Sequence, residues 1–300
     1  MGVVLIVVAT VFWSLDTLIR YPLLFSGVSA GQIVLFEHAI LVSVFLCLNL
    51  IKKQNLKFLK EHVLSFFIIG CCGSALGTLA FTQAFSLINP SLVILLQKLQ
   101  PCVAIALAHF ILKEKLPHQF LRWAFFALIG ALLISWTDLR KAVDFVTTSE
   151  SLLSRTQILG YTLTLISVLS WGASTVFGKK LDHAKLTTEQ IMFGRFFYGL
   201  VAMIIFMIIN GHQVMSIDLN FSLKIAFMVL LSGLIGMYLY YRGLKMLSAR
   251  VVALAELFFP VSAVLINWIF LKQSLNTMQI IGSIILVIST TYLQISRVKN

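Results

Sequence analysis

The sequence predicts an all-α membrane protein: ten transmembrane helices in two inverted five-helix repeats. Three observations predict it. Hydrophobic residues fill 59% of the 300 positions and charged residues only 11%, against roughly 25% charged in soluble domains. Apolar stretches of about 20 residues, the length that crosses a bilayer as a helix, recur along the chain. Features of the first half return in the second at an offset of about 158–159 residues.

The ten spans are expected near 2–20, 31–51, 63–84, 90–112, 118–136, 157–178, 188–209, 222–243, 250–271 and 277–295. The first lacks the basic start and small-residue cleavage site of a signal peptide, so it reads as a retained span. The third and eighth carry stripes of small residues, Gly70, Gly73, Ser74 and Gly77 in one and Gly233 and Gly236 in the other. Such stripes let membrane helices approach closely. The fourth and ninth each hold a proline, Pro101 and Pro260, inside the apolar run. Proline has no N–H, so the carbonyls of Gln97 and Glu256 are expected to lose their helical donors and to seek others in protein or a water-filled cavity. The polar stretch 137–156 divides the chain. Residues 1–140 form the first repeat, 141–156 an extracytoplasmic linker and 157–300 the second repeat.

The net charge of +12 does not point to nucleic acid, because the basic residues are scattered between apolar segments. With the N-terminus in the cytoplasm, about 15 Lys and Arg fall on the cytoplasmic side and about 6 on the other, which orients both termini inwards. The repeat pairs Trp13 with Trp171, Gln32 with Gln190, Gly77 with Gly236 and Pro101 with Pro260. Five spans per half is odd, so the second half enters from the opposite face. This is the plan of many secondary transporters.

On these residues the chain resembles the drug/metabolite transporter superfamily, specifically its EamA-type ten-helix members. Trp13-Ser14 and Trp171-Gly172 in the opening helices, Gly194-Arg195-Phe196-Phe197, and Leu112-Lys113-Glu114-Lys115-Leu116 at a helix end carry the likeness. The first repeat departs from it with Glu37-His38 where the second has Arg195-Phe196, and Gln273 stands where Glu114 has its counterpart. The resemblance implies a bacterial inner-membrane transporter, a cavity lined by helices 1–4 and 6–9, and peripheral helices 5 and 10.

Four ionisable residues lie inside the spans: Glu37, Lys98, Arg195 and Glu256. Charges at that depth are costly and mark functional sites by default. Glu37 is expected to pair with Lys98 and Arg195 with Glu256, as structural ion pairs or flanking one substrate. Gln97, Trp13, Trp171, Tyr238 and Tyr241 join them as candidates for binding or gating. His38 is either a proton-coupling group, since histidine titrates near neutrality, or a hydrogen-bonded packing residue. Asp16 and Arg20, four apart, read as a local pair, and Glu114 as a surface ion pair. A cavity with rings and few charges suits a small amphipathic metabolite such as an amino acid or a nucleobase-like compound. No phosphate-cradling loop, metal-ligand spacing or nucleophile elbow occurs, so neither cofactor nor metal is expected. An intramembrane enzyme and a passive channel or structural membrane protein are the alternatives.

Overall fold

Every element described in the computed structural model is helical. It describes residues 1–53, 56–88, 93, 96–136, 140, 143–144, 155–210, 218–271 and 276–296. Five helices make up the first part: α1 (Gly2–Phe25), α2 (Ala30–Ile51), α3 (Val63 to Ala84), α4 (Gln100–Leu112) and α5 (His118–Ile134). The second part holds α6 (Arg155–His183), α7 (Thr188–Ile209), α8 (Leu219 to Met246), α9 (Ala249–Ala255 and Phe258–Leu271) and α10 (Thr277–Ser296). One helical turn, Phe58–Glu61, precedes α3. Among the described residues seven helices are long and apolar enough to cross a bilayer, and three apolar ones, α4, α5 and α10, are shorter. The expected spans coincide with these helices, except that 90–112 is described continuously only from Leu96, and residues 272–275 and most of 141–156 lie outside the described residues.

Local sequence explains the helix starts. Ser29 caps α2 by accepting from the backbone N–H of Gln32. Thr187 and Gln190 form a reciprocal capping box on α7, which satisfies two N–H groups that the first turn leaves without partners. The repeated glutamine is therefore the third residue of equivalent helices. Asn276 and Gln279 cap α10 in the same way. Three helix ends turn through a lysine in the left-handed region, at Lys53, Lys113 and Lys185.

Packing reverses the polarity of a soluble protein. Ile205, Ile208, Ile209, Phe227, Phe270 and Ile288 are exposed, whereas Thr10, Ser14, Asp16, His38, Lys98, Ser174, Thr175 and Arg195 are buried. Apolar surface of that extent suits lipid rather than water. Inside, α1 lies against α8 and α9, and α6 against α3 and α4. Helices α2 and α7, α4 and α9, and α5 and α10 also meet. Exchanging each helix for the one five places along leaves this set of contacts unchanged. At finer scale, a Cβ on Gly77 would lie 2.9 Å from the indole nitrogen of Trp171, and one on Gly236 would lie 3.2 Å from that of Trp13. A side chain at Gly77 would displace the ring, and one at Gly236 would crowd it. Gly77 directly follows a π-helical winding, Phe67–Leu76 in α3, and Gly236 ends another, Val229–Gly236 in α8. Such windings interrupt α-helices frequently at functional sites.

The prolines break the helices differently from the sequence expectation. Pro101 lies in the first turn of α4, where its missing N–H costs nothing, and the break is the turn at Lys98–Leu99 just upstream. In α9 the turn falls at Glu256–Leu257. The Glu256 carbonyl, expected to find another donor in protein or a water-filled cavity, accepts from the N–H of Phe259 at 3.0 Å, a tighter three-residue bond.

Glu114 also departs from expectation. Its ion pair, with Arg250 at 3.8 Å, is largely shielded rather than on the surface, and its carboxylate also accepts from the backbone N–H groups of Ala249 (2.7 Å) and Arg250 (3.1 Å). It thus caps α9 from a distance and meets the positive end of the helix. Glu114→Ala is expected to cost about 0.5–2 kcal/mol, read as a lower midpoint of thermal unfolding in detergent.

Candidate functional site

Apart from the ion pair of buried Lys179 with Asp182 near the end of α6, two polar groups hold Glu37, Arg195 and Glu256. The first is built on α1, whose helical spacing sets Asp16 and Arg20 on one face. Arg20 donates through Nε to Asp16 at 2.6 Å and through Nη2 to Glu37 of α2 at 3.1 Å. Ser232 of α8 adds a hydroxyl to Asp16 at 2.6 Å. Glu37 is therefore held by Arg20, not by Lys98 as expected, and the pair on α1 is one part of a four-residue network. His38 follows Glu37 but points elsewhere. Its Nδ1 lies 2.7 Å from the Val34 carbonyl and its Nε2 2.9 Å from the Ser74 hydroxyl. A carbonyl only accepts, so in the neutral ring Nδ1 carries the proton and Nε2 accepts from Ser74. The ring packs edge-on to Phe196 and fits against Gly199 of α7.

The second group joins α4, α6, α7, α8 and α9. Glu256, at the turn of α9, accepts from the Gln100 amide (2.5 Å), the Thr175 hydroxyl (3.1 Å) and the Tyr240 hydroxyl (2.9 Å). Arg195 donates through Nη1 to Ser174 (2.7 Å) and Tyr241 (3.2 Å), and its buried Nε has no partner. The expected direct pair of Arg195 with Glu256 is replaced by hydroxyls. Consecutive residues of α6, Ser174 and Thr175, serve the two charges in turn, and so do consecutive residues of α8, Tyr241 and Tyr240. Helix geometry makes this possible, because adjacent residues project about 100° apart.

Aromatic rings close the group on both sides. Trp13 packs on Tyr240 with centroids 5.4 Å apart, and Trp171 on Phe81 at 4.9 Å. In each case the partner ring lies four residues beyond the glycine that admits the tryptophan. The carbonyl of Trp171 also accepts from Thr175 at 3.3 Å.

Between the two helix breaks lies a cavity of about 30 Å³, lined by Gln97, Lys98, Gln100, Pro101, Glu256, Leu257, Phe259 and Pro260. That volume holds about two waters. Lys98 is buried at its wall, and the side-chain oxygen of Gln97 is buried without a partner. Of the residues singled out from sequence, Gln97, Lys98 and Glu256 share this cavity, while Tyr241, Trp13 and Trp171 connect to it through one further residue and Arg195 through two. Glu37 belongs to the Arg20 network, and His38 stands apart on Val34 and Ser74. Tyr238 stacks near Arg242, 5.9 Å from its ring centre, and stays apart. Sequence reasoning missed Gln100, Thr175, Ser174 and Tyr240. Tyr240 had a signal, since it sits one turn after Gly236 and so on the face that receives Trp13. Among the described residues no group of three metal-ligating side chains forms.

Known proteins resemble this chain in sequence and fold. The EamA-like transporter family matches residues 1–136 and 158–294. Over 300 residues the chain is 31% identical to the riboflavin transporter ImpX of Fusobacterium nucleatum, covering 96% of this chain and 95% of that one. It is 24% identical over 268 residues to the uncharacterized transporter YoaV of Bacillus subtilis, covering 88% and 84%. A solved crystal structure at 15% identity superposes with a TM-score of 0.76 over 96% of this chain and 95% of its own, which shows a common fold. With apolar helices, a family match over both parts of the sequence and a transporter aligned nearly end to end, the protein is an integral membrane transporter rather than an enzyme, and it belongs to the EamA-like transporter family.

Proposed function

We propose that the protein carries riboflavin, or a flavin of the same ring system, across the membrane by alternating access. Ten spans would form two inverted halves, residues 1–140 and 157–300, joined by a linker at 141–156, with both termini cytoplasmic. The observation that carries the substrate is the identity of 31% with a riboflavin transporter along almost its whole length. Support for the inverted halves comes from contacts that repeat at one offset, Trp171 on Gly77 and Trp13 on Gly236. The path runs through the broken helices α4 and α9, whose turns face each other across the small cavity. Broken helices beside a central site are a recurrent design of secondary transporters. The cavity is far smaller than the 300–1,000 Å³ that ligand sites usually need, so in this reading transport requires the turns to part. Gln97, Lys98 and Glu256 contact the substrate in this reading, Arg195 and Tyr241 position Glu256 through Tyr240 and Thr175, and Trp13 and Trp171 steady the surrounding helices.

Liposomes containing the full-length protein test this. Riboflavin entry is expected to saturate and to exceed entry into protein-free vesicles. Glu256→Leu should reduce it to the protein-free level while the variant still elutes as folded protein. Entry no faster than in empty vesicles, at any flavin concentration, overturns the reading.

A further inference from the structure

The cavity between the helix breaks holds a particular mixture of groups. Glu256 brings a carboxylate that only accepts, Gln100 an amide that now donates to it at 2.5 Å, Lys98 an ammonium, and Gln97 a buried oxygen without a partner. Donors and acceptors of both signs stand together, with Leu257, Phe259 and the two prolines as apolar walls. An anionic ligand such as a free carboxylate would meet Glu256, and a cation would meet Lys98. The set suits a neutral edge that both gives and takes hydrogen bonds. An unpartnered buried acceptor is costly, so a ligand that supplies a donor to Gln97 gains by doing so.

We propose that these residues read the imide edge of a planar heterocycle, the ring N–H flanked by two carbonyls that the flavin ring system carries. Glu256 accepts the imide N–H. The Gln100 amide turns from Glu256 to one flanking carbonyl, Lys98 donates to the other, and Gln97 accepts from a hydroxyl of the side chain. Thr175 and Tyr240 keep the other side of the carboxylate and fix its direction. The inference rests on the flavin reading above and deepens it, naming which edge of the molecule is recognised.

The test compares riboflavin with 3-methylriboflavin, in which a methyl group replaces the imide hydrogen, by quenching of flavin fluorescence on the purified full-length protein. Hydrogen bonds to a charged group are the stronger class, so the methylated compound is expected to bind at least about tenfold more weakly. In Glu256→Gln that gap should shrink, because an amide oxygen accepts more weakly than a carboxylate. Equal affinity for the two flavins in the unmodified protein overturns the edge assignment and leaves flavin transport standing. A gap that persists undiminished in Glu256→Gln removes Glu256 as its reader. Binding of neither flavin overturns the flavin reading, and this inference with it.

Discussion

Arg20→Met is expected to destabilise the protein by about 3–5 kcal/mol, the range seen when one partner of a buried ion pair is removed. Arg20 is the cation between two carboxylates, 2.6 Å from Asp16 and 3.1 Å from Glu37, and all three side chains are largely shielded. Methionine keeps much of the length and apolar stem but no charge. Two buried acids would then face each other with only the Ser232 hydroxyl beside Asp16, and one of them would have to take up a proton. The midpoint of thermal unfolding in detergent reads the effect. Adding Glu37→Gln to Arg20→Met should recover a substantial part of the loss, because it removes one of the stranded charges. An Arg20→Met protein as stable as the parent would show that the network contributes little to holding α1 against α2 and α8.

The second large effect is expected at the contact of α5 with α10. A Cβ on Gly282 would lie 2.6 Å from the Gly130 carbonyl oxygen and 2.7 Å from the Ile134 nitrogen. Both neighbours are backbone, which cannot swing away as a side chain does. Gly282→Leu should therefore force the helices apart and cost about 3 kcal/mol, at the upper end of the range for overpacking. Gly282→Ala should be milder but still harmful. Fluorescence-detected gel filtration and melting curves would register both, with Ile284→Leu on the exposed face as a neutral control. If Gly282→Leu folds and melts as the parent does, α5 and α10 do not depend on this approach.

Much of the fold could be read from the chain itself, because lipid imposes simple rules. Apolar runs mark helices, and a backbone in oil must satisfy its own hydrogen bonds. The cavity residues Gln97, Lys98 and Glu256 were legible for the same reason, as polar groups beside prolines where oil disfavours them. What stayed hidden was direction around the helix axis. Position along a span gives depth, so Glu37 and Lys98 looked like partners, but the side chain that reaches Glu37 is Arg20, seventeen residues earlier on a neighbouring helix. Arg195 and Glu256 likewise looked adjacent, yet two tyrosines and two small hydroxyl residues stand between them. The cap supplied by Glu114 joins residues 135 and 136 positions apart, beyond the reach of any local pattern. The π windings leave no clear mark either, since apolar residues surround them on every side.

Those windings have a mechanical meaning. In a π turn each N–H reaches one residue further back than in an α turn, so the segment stores a surplus residue. Ser74 and Ser232, which hold His38 and Asp16, both lie within such segments. Releasing the surplus would spin the remainder of α3 or α8 by about 100° and carry the serine off its partner. The polar contacts at the heart of the bundle are thus geared to how tightly two helices are wound, and a change of winding at one end reaches the other as rotation.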